Sequence, residues 1–262
     1  MKKKKQGISM IVTIIIVSIV IICIGLIVYF LFNKNSSKKD GNSSNSLETQ
    51  ESVGKTSDGV AKPEDYMTLT VENDKSVEIA NSQNADIKVA DIPTEINGEK
   101  VVGISDYAFD NYKNLEEVIV PGTVEKIGEF AFFLNSKLKK VTLNEGVKEI
   151  GNDCFSQDTA LVEVSLPSTL KTISVCAFIY CPNLERITIP NGVERIENGA
   201  FAKCEKLKEV HIPSSVNFIQ TRHDGDSESP VFEESPNVTI YAPKGSYAEK
   251  YAKQENIKFV AE

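Results

Sequence analysis

The chain has 262 residues and a formal net charge of −8, and its charges are distributed unevenly. Residues 1–39 contain seven lysines and no acidic residue, so residues 40–262 hold 29 − 7 = 22 basic against 37 acidic residues, a formal charge of −15. Because proteins bind nucleic acid largely through Lys and Arg, this acidic part argues against nucleic acid as a partner and favours neutral or cationic ones.

An uncharged apolar segment at residues 8–32 follows a basic tail at residues 1–7. As a helix it would be roughly 37 Å long at about 1.5 Å per residue, enough to cross a hydrocarbon core of about 30 Å. A cleaved signal peptide has a shorter apolar region that ends at small residues. We therefore predict a transmembrane signal anchor. Cys23 makes lipidation an alternative, but Ile22 stands where lipoprotein signals place a small residue.

The lysines on the two sides of this segment predict its orientation. Four lysines and the amino terminus precede it, whereas three lysines follow it within residues 33–39. The positive-inside rule then places residues 1–7 in the cytoplasm and everything after residue 32 outside the cell. Residues 33–64 are rich in Ser, Asn, Gly and Lys, which predicts a disordered linker with a reach on the order of 30 Å.

A cap is predicted at residues 65–103, together with a first, irregular repeat. The sequence MTLTVENDKSVEIA alternates in the manner of a β-hairpin. Such a segment is expected because the first coil of a stack would otherwise expose its apolar face and an unpaired strand edge.

Residues 104–235 repeat with a period of 23 residues. A unit of this length is too short to enclose its own core, so each coil must bury its apolar residues against its neighbours. The period therefore predicts a repeat solenoid of the α/β type with a parallel sheet. The periodic columns are Ile104, Ile127, Ile150, Ile173, Ile196 and Ile219; Phe109, Phe132, Phe155, Phe178 and Phe201; and Leu115, Leu138, Leu161, Leu184 and Leu207.

One coil shows how the elements follow one another. The alternation of Leu184, Ile187 and Ile189 predicts a strand that ends at Pro190. Val193 and Ile196 form a second inward pair, which is compatible with a short strand on another side of the coil. The run NGAFAKC then turns the chain, with its alanine and phenylalanine pointing inward.

A C-terminal cap is predicted at residues 236–262. It begins with a last strand at residues 238–241 and continues with a helix over residues 244–256. Ser246 is the expected N-cap of this helix, because its side chain can accept a hydrogen bond from a free backbone N–H of the first turn.

The pattern I-x-x-x-A-F-x-x-C-x-x-L-x-x-V-x-I-P-x-x-V resembles the leucine-rich repeats of BspA-like bacterial surface proteins, often called the treponemal type. Its best copies here are ISVCAFIYCPNLERITIPNGV and IENGAFAKCEKLKEVHIPSSV. The chain departs from the pattern at Asn144 in the proline column, at Cys154 in the alanine column and in extra residues at 221–228. The resemblance implies leucine-rich-repeat coils in an extracellular module that binds proteins, host surfaces or matrix, without an activity of its own.

Candidate partner-binding residues follow from the alternation within a strand, since residues between the buried ones project outward. In the first column opposite charges meet at every step, about 4.8 Å apart, which predicts a ladder of ion pairs. Two interpretations remain open: the ladder stabilises the sheet, or it contacts a partner. The two columns are Glu117, Lys140, Glu163, Arg186 and Glu209, and Ile119, Thr142, Ser165, Thr188 and His211.

The sequence offers little for catalysis. His211 is expected on an exposed strand and His223 in the extra segment, so a Ser-His or Cys-His pair has few ways to form. We predict that the chain is not an enzyme and has no cofactor or metal ion. Cys181 and Cys204, one period apart, stack close enough for a disulfide, but inward cysteines of a repeat are commonly small buried hydrophobic residues, which favours free thiols.

Together these features predict a single-pass, membrane-anchored surface protein. Its repeat domain lies outside the cell and binds a protein or glycan partner, as in adhesion, without chemistry. An alternative is a structural or regulatory component of the cell envelope that pairs with another membrane protein near the bilayer. An accessory domain of an enzyme is a third hypothesis.

Overall fold

The computed structural model describes residues 67–73, 76–82, 86–221 and 229–262. The predicted signal anchor and linker, Cys23 and His223 lie outside these residues. No helix within the described ranges has the length and apolar character to cross a membrane.

The described chain begins with the predicted β-hairpin. Strands β1 (Met67–Asn73) and β2 (Ser76–Ser82) pair antiparallel. β2 then pairs in parallel with β5 (Glu99–Ile104), and the short β4 (Glu95–Ile96) pairs antiparallel with β5. The hairpin therefore covers the edge that the first coil would otherwise expose.

The longer strand of each coil stacks on its counterpart in the next coil, and we call this stack the front row. It consists of two parallel sheets whose neighbouring strands are one repeat period apart through most of the row. The first sheet contains β3 (Val89–Asp91), β6 (Glu117–Val120), β8 (Lys140–Leu143) and β10 (Glu163–Ser165). The second sheet contains β12 (Arg186–Thr188), β14 (Glu209–His211), β16 (Thr239–Ala242) and β17 (Lys258–Ala261).

A second stack of two-residue strands, the side row, follows the turn after each front-row strand. It continues the sheet of β2 and β5 and is likewise divided into two parts. The first part adds β7 (Lys126–Ile127) and β9 (Glu149–Ile150) to β5. The second part consists of β11 (Thr172–Ile173), β13 (Arg195–Ile196) and β15 (Phe218–Ile219).

The rest of each coil is a turn segment, which we call the arc, and it has a hydrogen-bond ladder of its own. In one step the N–H groups of Asp153, Phe155 and Gln157 donate to carbonyls of the next coil at 2.9 to 3.0 Å. The residues two positions before and two positions after the phenylalanine have positive φ in coil after coil, for example 53° at Asp153 and 63° at Gln157. This left-handed backbone is uncommon for residues other than glycine, and here the ladder holds it in place.

The core runs through the stack as columns of identical residues. Phe109, Phe132, Phe155, Phe178 and Phe201 are each 0% exposed, and successive rings stack with centroids 5.1 to 5.5 Å apart. Such offset aromatic pairs contribute beyond the area that they bury. The predicted phenylalanine column is therefore the continuous centre of the arc.

The described residues contain a single α-helix, α1 (Tyr247–Gln254), so the fold is better described as a parallel-sheet β-solenoid than as an α/β-type solenoid. Short turns replace the helices that the α/β description implies, because so short a coil leaves little chain for a helix after two strands. Ser246 is the N-cap as predicted, and its hydroxyl accepts the Glu249 N–H at 3.3 Å.

The last arc keeps its register despite extra residues in the chain. Gly199 donates to Ser229 and Phe201 donates to Val231, so the bonded partners are further apart in sequence than one repeat period. Arc bonds of the regular coils join residues 22 apart, such as Phe178 and Ala200, whereas these two join residues 30 apart. The backbone register therefore places an addition of 30 − 22 = 8 residues in this coil, the length of the segment 221–228 that the sequence pattern indicated.

Both rows are broken at the same place, which we call the interrupted step. It lies between the coil of residues 150–172 and the coil of residues 173–195. No sheet pairing joins β9 to β11 or β10 to β12 among the described strands. The arc ladder crosses this step intact, with the N–H of Phe155 2.9 Å from the carbonyl of Ala177.

A change of residue type coincides with this break. Gly151 donates its N–H to the Ile127 carbonyl at 2.8 Å, and a Cβ added to Gly151 would lie 2.4 Å from the backbone nitrogen of Glu129. The equivalent residue in the next coil is Ser174, which has a Cβ. Its hydroxyl, rather than its N–H, donates to the Ile150 carbonyl, at 2.5 Å. The close backbone stacking of the glycine coils is therefore not continued at Ser174.

Candidate functional site

The structure places all ten candidate binding residues on front-row strands. In β6 the residues Val118 and Val120 are fully buried while Glu117 and Ile119 remain partly exposed, and β8 repeats this pattern. The strand register aligns the columns Glu117, Lys140 and Glu163, then Arg186 and Glu209, and likewise Ile119, Thr142 and Ser165, then Thr188 and His211. The interrupted step divides each column into these two groups.

The predicted ion-pair ladder is present at one of its four steps. Lys140 Nζ lies 3.2 Å from Glu117 Oε1, and this carboxylate raises the pKa of the Lys140 ammonium. Among the described residues, no other pair of this column forms an ion pair. At the remaining steps the residue types are right, but the side chains of Glu163, Arg186 and Glu209 do not meet.

Ion pairs occur instead in the column just before each front-row strand. Glu116 pairs with Lys139 at 2.7 Å, and Glu185 pairs with Lys208 at 3.8 Å. The lysine lowers the pKa of the Glu116 carboxyl, chiefly through a direct hydrogen bond. Val162 occupies the middle position of this column, where the charge alternation stops.

The second column ends in an aromatic pair. His211 stacks on Tyr241 of the next strand with ring centroids 4.8 Å apart, and its Nδ1 lies 3.1 Å from Glu262 Oε2. The middle of the column carries the small hydroxyl side chains of Thr142, Ser165 and Thr188. The column is therefore uncharged between the partly exposed Ile119 and the two rings.

Apolar side chains are exposed beside the interrupted step, at the middle of the front row. Val162 stands in the exposed column just before the strand, as Lys139 and Glu185 do. Val162 is 51% exposed, and Val164 and Leu166 are partly buried. Residues in the same two inward columns one coil earlier, Val141 and Leu143, are at most 2% exposed. Sequence reasoning missed this surface, although a valine in a column otherwise filled by Glu and Lys was a readable signal.

On the side row the same step opens a cleft of about 720 Å³. Three of its four hydroxyl groups donate hydrogen bonds within the protein. Ser168 Oγ donates to the Glu145 carboxylate at 2.9 Å, Thr169 Oγ1 donates to the Val147 carbonyl at 2.7 Å, and Ser174 bonds to Ile150. The cleft residues are Lys148, Glu149, Ile150, Ser168, Thr169, Lys171, Thr172 and Ser174.

A buried polar column runs beside the phenylalanine column. Most of its members donate to the carbonyl of the phenylalanine one coil earlier: Asn135 to Phe109 at 3.0 Å, Cys181 to Phe155 at 3.3 Å, Cys204 to Phe178 at 3.2 Å and Ser235 to Phe201 at 2.8 Å. The column therefore joins successive coils from within.

Asp158 is the exception in this column. Its Oδ1 accepts the Asn135 N–H at 2.8 Å, but its buried Oδ2 has no hydrogen-bond partner, and the residue is 0% exposed. Burial raises the pKa of this carboxyl well above its ordinary value. A protonated carboxyl donates a hydrogen bond and so fits the column, whereas a carboxylate only accepts. Asp158 is closed off from solvent and hence from any substrate.

The cysteines are also poorly placed for chemistry. Cys154, Cys181 and Cys204 are buried free thiols, and Cys176 is a half-buried one. Burial raises the pKa of Cys204 to about 12 and that of Cys176 to about 11, so little thiolate is present at neutral pH. In the described ranges, no cluster of three or more His, Cys, Asp and Glu side chains could hold a metal ion.

Parallel 23-residue coils around a phenylalanine column, with an outward front row, define a leucine-rich-repeat solenoid. A family model, the BspA type leucine rich repeat region, matches residues 102–223 in six copies. The repeat region of the chain matches this family. Its members are bacterial cell-surface proteins, and the family suggests a role in protein interaction on a scaffold that is typically non-enzymatic.

Several solved structures are similar to this chain. A leucine-rich-repeat protein of T. pallidum shows the same fold, with 22% identity and a TM-score of 0.64 over 76% of this chain and 97% of the other. A leucine-rich-repeat protein of Eubacterium ventriosum matches with 20% identity and a TM-score of 0.45, over 66% of this chain and 51% of the other. A leucine-rich cell-surface protein of Faecalibacterium prausnitzii has 16% identity and a TM-score of 0.31, over 77% of this chain and 98% of the other. No curated protein matches the chain.

Proposed function

We propose that the chain is a membrane-anchored surface protein whose repeat domain lies outside the cell and binds a protein or glycan partner through the front row, without catalysis. The anchor is residues 8–32, and the linker at residues 33–64 keeps the repeat domain near the membrane. The partner contacts the two outward columns of the front row.

The observation that carries this proposal is the alignment of outward side chains across the front-row strands. Repeat solenoids use extended surfaces of this kind for binding. Within the described part of the charged column, Glu163, Arg186 and Glu209 form no ion pair with one another, so they have charge to offer a partner. The uncharged segment at residues 8–32 supports the anchor, and the four lysines before it, against three after it, support the orientation.

The test is capture of a partner on intact cells that display the full chain. Chemical crosslinking followed by mass spectrometry identifies proteins bound to the wild type and to the double variant Lys140→Glu with Arg186→Glu. The matched control, Lys126→Glu with Arg195→Glu, makes the same change in charge on the side row. We expect the front-row variant to lose the partner and the control to keep it. Equal capture by both would remove the charged column from the binding site.

The alternative function, an envelope component that pairs with another membrane protein, is favoured by the short reach of the linker. Antibody labelling separates the two possibilities. Labelling of the repeat domain on intact cells supports a surface-exposed binding protein, whereas labelling confined to wall-stripped cells supports the envelope component.

A further inference from the structure

The interrupted step gives the front row a feature that a regular solenoid lacks. Val162 is 51% exposed, and Val164 and Leu166 are only partly buried, where the sheet of β10 ends and the sheet of β12 begins. We call these three side chains the aliphatic surface. In the regular part of the row, equivalent inward side chains such as Val141 are completely covered. Apolar side chains that remain accessible together on a protein surface are characteristic of interaction sites.

Two opposite charges flank this aliphatic surface. Glu163 and Arg186 occupy equivalent positions on either side of the step, and both are exposed. Neither of them forms an ion pair among the described residues, although Lys140 and Glu117 pair at 3.2 Å one strand earlier. The step therefore presents an anion and a cation on either side of an apolar patch.

Backbone groups at the step are also left without their usual partners. At the regular steps, the residue before each strand donates its N–H to the coil before, as Lys139 does to Glu116 at 2.8 Å and Lys208 to Glu185 at 2.9 Å. No such bond joins Glu185 to Val162, both of which lie in the described part of the chain. These groups can bond to the main chain of a bound segment.

We propose that the interrupted step is the docking point for a protein segment that places one aliphatic or aromatic side chain on Val162, Val164 and Leu166. A basic group of that segment pairs with Glu163, and an acidic group pairs with Arg186. This inference rests on the proposed function and refines it, because it names the chemistry of the partner. The occupant is a protein segment rather than a glycan, since three aliphatic side chains offer sugar hydroxyls no hydrogen bonds.

The experiment uses the full chain in detergent micelles and a display library of random dodecapeptides as the probe. Enriched peptides are synthesised, and their affinities are measured for the wild type, for Val162→Lys and for the matched control Val89→Lys. Val89 is 46% exposed on β3, at the far edge of the same row. Lysine is compatible with position 162 because Lys139 and Lys208 occupy the same column.

We expect enriched peptides that carry an aliphatic or aromatic residue between a basic and an acidic one. Val162→Lys should weaken their binding at least tenfold, about 1.4 kcal/mol, and Val89→Lys less than twofold. Glu163→Arg and Arg186→Glu provide variants that leave the aliphatic surface unchanged. Each should weaken binding on its own, and the double reversal should not restore it, because each charge pairs with the peptide rather than with the other.

Several outcomes would overturn the proposal. One is full recovery of binding in the double reversal, which would mean that Glu163 and Arg186 pair with each other. Others are a glycan-array signal without any enriched peptide, and self-association in sedimentation that Val162→Lys abolishes, which would make a second copy the occupant. Peptides that bind equally to wild type and Val162→Lys but not to the Lys140→Glu with Arg186→Glu variant would sink this inference and leave the proposed function standing.

Discussion

The arc and the two strand rows share one period but differ in how they cross the step between residues 150–172 and 173–195. The arc keeps its three backbone bonds and its stacked phenylalanines, whereas both rows lose their pairing. The arc is held by the backbone and by one unvaried side chain, whereas at this step of the side row Ser174 stands where the two preceding coils have Gly128 and Gly151. Continuity of a solenoid is therefore a property of each side of the coil separately.

The largest effect should come from disrupting the arc, which is continuous through the interrupted step. Phe155→Ala removes a fully buried ring that stacks on both neighbours, so we expect a loss of about 3–5 kcal/mol in the free energy of unfolding. Urea denaturation followed by circular dichroism measures it. Val162→Ala, at the surface of the interrupted step, is the control and should change stability by less than about 0.5 kcal/mol. Similar losses in the two variants would contradict a dominant role for the arc.

Gly151→Ser tests the origin of the interruption and should have the next largest effect. The new Cβ would meet the backbone of Glu129 at 2.4 Å, and overpacking of this kind costs about 1–3 kcal/mol. Ser174→Ala, which loses only the hydroxyl bond to Ile150, should cost about 1 kcal/mol. An unchanged unfolding midpoint for Gly151→Ser would mean that glycine is not what keeps this side closed.

Asp158→Asn should stabilise the protein at neutral pH. The folded state raises the pKa of this buried carboxyl. Below the unfolded pKa of about 3.8 the neutral carboxyl is fully compatible with folding, and stability is lost as pH rises through the folded pKa. The amide avoids this loss, and we expect a gain of about 1–3 kcal/mol at pH 7 that disappears at about pH 3.

The reciprocal change, Asn135→Asp in the same column, is the control for this prediction. It should destabilise the protein at pH 7 and less so at about pH 3, as determined by urea titration at both pH values. A benefit of Asp158→Asn that persists at low pH would show that ionisation is not its cause.

The smallest effect is expected at the exposed ion pairs. A double-mutant cycle on Glu116 and Lys139, whose side chains are 37% and 58% exposed, should give a coupling close to the error of the measurement. Salt should reduce it further, since solvent screens such pairs. A large coupling that is insensitive to salt would assign the stability of the front row to charge rather than to the buried valines.

The periodic residues were sufficient to predict the architecture. One spacing separates Ile127 from Ile150 and Phe132 from Phe155. This spacing, together with the alternation within a strand, predicts where each column lies in the coil. The outward direction of the ten candidate residues was predictable for the same reason. The ion pairs were not, because Lys140 has two acidic neighbours one strand away, and the rotamer that it adopts decides which of them it meets.

The interrupted step could not be predicted from the period. It coincides with the replacement of glycine by Ser174, but Glu197 and Gln220 at the equivalent positions donate their N–H groups to Ile173 and Ile196 at 2.9 and 3.0 Å. A side chain at this position therefore does not by itself predict a break. The exposure of Val162 belongs to its column, in which Lys139 and Glu185 are exposed as well, whereas its own hydrophobicity predicts burial. Two signals were present in the chain. Ser174 replaces the glycine of the two preceding coils, and Val162 replaces the charged residue of its column, at positions less than one coil apart.

The last arc keeps its pairing although its coil is longer than the others, and this has a practical use. A coil that already accommodates additional residues without losing register is a natural location for a foreign peptide. An epitope tag or a small fluorescent reporter introduced after Thr221 would leave the front row untouched, so the protein can be labelled with that row free.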